Sequence, residues 1–277
     1  MPELPEVEFC AQVWRRVAVG RRVVAAGAEP GSPLRGDLDP ARWSAGLTGR
    51  RIEAVHRRGK QLTVVLDAGL RLLVHLGMTG KWVACGPEAP VRRGRRAWLH
   101  LDDHQRFDYL DPRRFGRLWL LPEAEATRHP EVVRLGPDAL AVAATPGALH
   151  RALRGCRRPI KEALLDQHRV AGIGNIYAVE GLFAAGLHPD VPAEALSPEA
   201  ADALAQGVGA AMEASLARED ATAAAAEITY LHEAPGASPF QVYGRAGQPC
   251  RRCGAPVLRQ VQHQRSTFFC GVCQRHP

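Results

Sequence analysis

Two groups of residues in this chain have the types and spacing for chemistry. The first is four cysteines in two C-x-x-C pairs, "CRRC" at Cys250 and Cys253 and "CGVC" at Cys270 and Cys273, with 16 residues between the pairs. Each pair makes a tight knuckle that points two thiolates at one centre, and two knuckles close an S4 tetrahedron suited to zinc. Four protein ligands saturate the metal, so its expected role is structural. A tail this small has almost no core of its own, so the ion is expected to supply much of its folding free energy. The second group is the tip, "MPELPEVE". Removal of Met1 would leave Pro2 with a secondary amine, and an α-amino group of pKa about 7.7–8.0 is partly unprotonated near neutrality. Attack of that amine on a sugar C1′ would give an iminium that acidifies the C2′ proton, and Glu3 beside it could carry protons. Taken alone, a Pro-Glu start reads more readily as an ordinary disordered acidic end.

Anion-binding signals accompany these groups. The chain has 36 Lys+Arg against 29 Asp+Glu, a net charge of +7, and the excess is clustered. Six arginines and no acid lie between Gly244 and Pro277, and "RRGRR" spans Arg92–Arg96. Such patches suit a polyanion, although a solvated basic face would look the same. Lysine is scarce, at Lys60, Lys81 and Lys161 only. "GIGN" puts Gly172 and Gly174 ahead of Asn175, expected to cap a helix bearing Ile176, Val179 and Phe183 and ending at Gly186. Bare backbone at a helix N-terminus is an anion site, though glycines before a helix are common. No apolar run approaches the roughly 18 residues of a membrane helix. The acidic start argues against a signal peptide, and the cysteine usage suits a reducing compartment.

The elements that must position these residues change type along the chain. From about Arg50 to Leu121, "QLTVVLDAGLRLLVHLG", "AWLHLDD", "RFDYLDP" and "GRLWLLP" read as antiparallel strands broken by Asp-Ala-Gly and Asp-Pro turns. After Pro130 the pattern is helical. Ser197 and Pro198 start a helix whose stripe of Leu204, Val208, Met212 and Leu216 reads as core packing. From about 217 to 240 a helix end and a mobile loop are expected. Between the cysteine knuckles, two strand-like runs flank a turn bearing Gln264 and Arg265.

Seven motifs in order, "MPELPEVE", "GK" (Gly59, Lys60), "HLGMTG", "DPRRFG", "GIGNIYA", "VYGR" and "QRSTFFCGVCQ", resemble bacterial formamidopyrimidine-DNA glycosylases over almost the whole length. Leu4 stands where the related endonuclease VIII branch has glycine. The resemblance implies an α+β multidomain protein: an N-terminal antiparallel β-sandwich (1–130), a helix-two-turn-helix domain with a lesion-loop segment (131–240) and a four-cysteine zinc finger (241–277) holding one structural zinc. It implies a cytoplasmic bacterial monomer that removes 8-oxoguanine and formamidopyrimidines from duplex DNA and nicks abasic sites by β,δ-elimination. Pro2 would be the Schiff-base nucleophile, Glu3 the acid/base and Lys60 the catalytic lysine at the DNA backbone. Met78, Arg113 and Phe115 would fill the gap left by a flipped base. His75, Lys161, Asn175 and Arg265 would contact DNA. Glu6 would help fix the terminus, and Glu8 would lie on an exposed helix face.

One segment departs from the family pattern. "REDATAAAAEITYLHEAPGASPF" carries alanines from Ala221 to Ala226 where purine-specific members have a glycine- and threonine-rich entry, which favours helix. Base preference is thereby left open between 8-oxoguanine, ring-opened purines and oxidised pyrimidines. A catalytically silent damage-binding homologue is the competing reading, and a zinc-ribbon transcription or RNA-binding factor would explain the tail alone.

Overall fold

A computed structural model describes residues 2–222 and 238–275, with the side chains of 219–222 excepted. Two compact units emerge, the first mainly Met1–Val133 and the second Arg134–Arg218 with the C-terminal part of the chain.

The first unit starts with α1 (Leu4–Val17), whose Leu4, Val7, Cys10, Ala11 and Trp14 are sealed from solvent. Two four-stranded antiparallel sheets follow. One has the order β2-β3-β4-β8, from Ile52–Arg58, Gln61–Leu66, Leu70–His75 and Arg117–Pro122. The other has the order β1-β6-β7-β5, from Val23–Ala28, Arg95–Leu101, Arg106–Leu110 and Lys81–Cys85. The four quoted strand-like stretches match β3 with β4, β6, β7 and β8. Helix α2 (Pro40–Leu47) is capped by Asp39, which accepts from the Arg42 amide. Trp14 packs edge-on against Trp82 at 4.8 Å and Phe107 at 4.7 Å, fastening α1 to the second sheet. Arg15 donates to the Val55 carbonyl at 3.1 Å, fastening it also to β2. Short helices α3 (Glu123–Ala126) and α4 (Pro130–Val133) close the unit.

The second unit holds α5 (Ala139–Ala143), α6 (Ala148–Leu153), α7 (Ile160–Leu165), α8 (Asn175–Ala185) and α9 (Pro198–Thr222), then the hairpin β9 (Val257–Gln262) and β10 (Arg265–Cys270). α9 begins as expected, with the Ser197 hydroxyl accepting from the Ala200 amide. Leu204, Val208 and Met212 are buried, whereas the stripe then turns to Ser215, which accepts from the Tyr177 hydroxyl at 2.7 Å, leaving Leu216 half-buried. The helix runs through Ala221 and Thr222, and the rest of the alanine-rich segment lies outside the described residues. No helix among the described residues is long and apolar enough to cross a membrane.

Candidate nucleic-acid interface and amine site

Pro2 and Glu3 are buried immediately ahead of α1, where unpaired amides and the positive helix end favour negative charge. A capping box holds them. The Glu3 side chain accepts from the backbone of Glu6, and the Glu6 carboxylate accepts from the Glu3 amide at 2.8 Å. Burial, and then the charge of Glu3, push the Glu6 carboxyl up to about 7. Glu8 corrects its expected exposure. Its side chain is 17% exposed and accepts from Arg15 at 2.7 Å and from Arg57 at 2.6 Å.

Lys60 sits on the β2–β3 turn, and it is 8% exposed. Arg58 pairs with Gln61, so the turn has only Gly59 and Lys60 at its centre. Gly59 has φ +57, as a glycine-first hairpin turn requires. Gln61 pairs with His75 and His75 with Arg117, so Lys60, His75 and Arg117 occupy one edge of this sheet. Burial, then the Arg117 and Lys60 charges, push the His75 imidazole down to about 3. It is therefore neutral, and because its Nδ1 accepts from the Gly77 amide at 3.1 Å, its Nε2 carries the proton. That N–H can be donated to an anion.

The next two motifs form adjoining loops. Asp111, fully buried, accepts from the Thr79 hydroxyl at 2.7 Å and from the Gly116 amide at 2.8 Å, tying "HLGMTG" to "DPRRFG". Gly77 has φ +66, and a Cβ there would lie 2.4 Å from the Phe115 carbonyl, so only glycine allows the approach. Raised on these loops are Met78, 37% exposed, and Phe115, 51% exposed, with the Arg113 guanidinium 4.9 Å from the Phe115 ring. Of the "RRGRR" cluster, Arg96 donates to the Asp111 carbonyl and so braces these loops, while Arg95 donates to Glu29 just after β1.

In the second unit, three expected contact residues converge on β10. Arg265 is exposed as its first residue, beside a turn formed by His263 (φ +45) and Gln264 (φ +61), so the arginine follows the turn rather than forming it. Asn175 is the first residue of α8 and not its cap, a place taken by Gly174. Its Nδ2 donates to the Ser266 carbonyl at 2.9 Å. Lys161 is fully buried and donates to Thr267 Oγ1 at 2.7 Å, with Thr267 in turn donating to Gln262. Burial and the nearby Arg265 lower its ammonium to about 8. Lys161 thus braces the hairpin from inside the fold. "VYGR" is explained by Glu180, a residue that sequence reasoning missed: its carboxylate accepts from the amides of Gln241, Val242 and Tyr243 at 2.7, 2.9 and 2.9 Å. A lone acid on an otherwise apolar α8 was the signal available.

The four cysteine sulfurs lie within 4.8 Å of one another, with Cys250–Cys273 at 4.0 Å and Cys253–Cys270 at 3.5 Å. Tetrahedral zinc with bonds of about 2.3 Å needs sulfurs about 3.8 Å apart, so the donor set fits one zinc ion. The expectation of a coreless tail is corrected. Cys250, Val257 and Cys270 share a buried cluster with Val179 and Phe183 of α8, so the finger borrows its core from that helix. Gln274 adds two bonds, accepting from the Cys270 amide and donating to the Leu187 carbonyl, both at 2.9 Å.

A buried Pro2–Glu3 start and paired loops with exposed apolar side chains in the first unit, and a four-cysteine finger sharing a core with a helix in the second, are the features of a nucleic-acid-binding protein. Family models match in the same order: the formamidopyrimidine-DNA glycosylase N-terminal domain over residues 1–118, its H2TH domain over 135–226, and the zinc finger found in FPG and IleRS over 247–275. Formamidopyrimidine-DNA glycosylase of Chloroflexus aurantiacus is 38% identical over 274 residues, covering 99% of this chain and 98% of the relative. That of Acidothermus cellulolyticus is 39% identical over 283 residues, covering 100% and 98%. The MutM (Fpg) crystal structure from Thermus thermophilus aligns with a TM-score of 0.80 at 35% identity, covering 99% and 98%. Lactococcus lactis Fpg in complex with abasic-site DNA aligns at 0.87 with 27% identity, covering 99% and 100%. The chain belongs to the formamidopyrimidine-DNA glycosylase family.

Proposed function

We propose that this chain is a bifunctional DNA glycosylase and abasic-site lyase, which removes 8-oxoguanine and formamidopyrimidines from duplex DNA and nicks the resulting site by β,δ-elimination. The observation that carries this reading is the Pro2–Glu3 start, buried and locked by the Glu6 capping box in a chain of this family. The Pro2 nitrogen attacks C1′ as the base departs, and the resulting iminium makes the C2′ proton acidic. Glu3 moves protons at the sugar, and Lys60 holds the phosphate side of the lesion. His75 donates its Nε2–H to the backbone. Met78 and Phe115 fill the stack, and Arg113 faces the orphaned base.

We assign this chemistry to residues 1–130, the grip on flanking phosphates to 131–240 through the α8 turn and Asn175, and a further arginine, Arg265, to the finger at 241–277. Cys250, Cys253, Cys270 and Cys273 hold the zinc, which fixes the knuckles that carry that hairpin. The protein acts as a monomer in the bacterial cytoplasm, at the nucleoid. Solved complexes of the Lactococcus lactis relative contain abasic-site, FAPY-dG and oxidised-pyrimidine DNA, which supports all three as substrate classes. An excision panel over duplexes with 8-oxoguanine, formamidopyrimidine and thymine glycol tests the reading: release of both purine lesions is expected, and binding without release of any base would contradict it.

A further inference from the structure

Glu8 is one of the acids of the opening motif to which the mechanism above gives no task. It lies on α1, five residues past Glu3, and its carboxylate is divided between two arginines. Arg15 takes Oε1 from the more exposed side, at 40% side-chain exposure, while Arg57 takes Oε2 and is only 9% exposed. Arg57 is the penultimate residue of β2, two residues ahead of Gly59. Its Nε is spent on Glu8, and its Nη1 donates to the Gly59 carbonyl at 3.3 Å. That carbonyl belongs to the peptide bond that leads into Lys60. One guanidinium thus joins the helix that begins just after Pro2 and Glu3 to the turn that carries the lysine.

We propose that Glu8 is a positioning residue for Lys60, acting through Arg57 to fix the two-residue turn against α1. The inference rests on the glycosylase–lyase reading and extends it to a residue that touches neither sugar nor base. Glycine at the first position of a two-residue turn brings no side chain to fix its pitch, so the guanidinium held by Glu8 adds an anchor from outside the turn. A planar fork suits this task because two of its donors reach different acceptors at a fixed angle, which a lysine cannot do. Displacement of a catalytic group by about 1 Å can cost up to about a hundredfold in rate, with little change in binding.

The test is single-turnover excision and nicking by full-length, zinc-loaded protein. Glu8→Gln and Arg57→Lys are expected to slow the chemical step about tenfold or more, with a much smaller fall in affinity for a duplex carrying a reduced abasic site. Arg57→Lys keeps the charge but loses the arm to Gly59, so it separates anchoring from simple electrostatics. In a Lys60→Ala background, Glu8→Gln is expected to cause no further loss. Undiminished rates in both variants, or an equal loss with and without Lys60, would overturn the proposal. Should Glu8→Gln fail to fold, Arg57→Lys carries the same comparison. If the parent protein itself proves inactive, the glycosylase reading fails instead. Amide exchange at Lys60 and Gln61 still reads the anchor, with faster exchange in Arg57→Lys supporting it and unchanged exchange contradicting it.

Discussion

His75 and Glu6 are titratable groups whose environments push in opposite directions, and both leave a signature in stability against pH. His75 accepts a proton near 6.5 when unfolded but near 3 when folded, so the stability it contributes above 6.5 is lost as pH falls from 6.5 toward 3. A His75→Gln variant should lose less stability between pH 7 and pH 5 than the parent, by on the order of 1–2 kcal/mol, read from denaturant midpoints. Glu6 has the opposite sign. Its folded value of about 7 lies above the ordinary 4.5, so its contribution is full below 4.5 and is lost as pH rises toward 7. Glu6→Gln should flatten that part of the curve. At this scale much was legible in the sequence. The four cysteines announce themselves by type and spacing, whereas Pro2, Glu3 and Lys60 stand out only through the family motifs that contain them. Glu8 and Glu180 do not, because Arg57 lies 49 residues from Glu8 and the amides that Glu180 holds lie 61–63 residues away, with nothing local to mark either pairing. Lys161 is not legible by type alone either, because the same residue type serves a phosphate or a buried hydroxyl, and here its ammonium donates to Thr267.

Between neighbouring elements, the loops after β4 and β7 act as one device because Asp111 reaches both. Asp111→Ala would strand the Thr79 hydroxyl and the Gly116 amide, at a cost of about 1–3 kcal/mol for each group left buried without a partner. The expected outcome is a lower melting temperature and slower excision from intact duplex. Gly77→Ala should be as damaging by a different route, since the new methyl would meet the Phe115 carbonyl at 2.4 Å. Equal excision rates for these variants and the parent would show that the loops need no shared anchor. Strand reading from the sequence found five of the eight strands in the first unit. β1, β2 and β5 escaped it for a physical reason. "VVAAGA" contains Gly27, where a Cβ would lie 2.3 Å from the Trp98 ring, so a packing constraint replaces the side-chain alternation that marks a strand. "KWVAC" is only five residues long, and "IEAVHRR" ends in arginines that bind elsewhere.

Over the whole chain, the metal and the amine are separate dependencies, in separate units. Zinc sites of this kind contribute about 10–16 kcal/mol of apparent binding energy, yet the finger here also shares a core with α8. Removal of zinc by a chelator should therefore loosen β9–β10 and weaken DNA affinity, while the first unit keeps its melting transition in calorimetry. A single cooperative collapse of both units on chelation would contradict that division. The domain order was legible because helix, strand and cysteine spacing differ so plainly along the chain. The base preference was not, because the segment that departs from the family pattern carries composition but no packing signal. The central claim concerns one atom, the Pro2 nitrogen, and its most direct test is borohydride reduction with duplex DNA containing an abasic site. The account predicts a covalent adduct that maps to Pro2 by mass spectrometry and disappears when Met1 is retained. No adduct from correctly processed protein, or an adduct on Lys60, would contradict it.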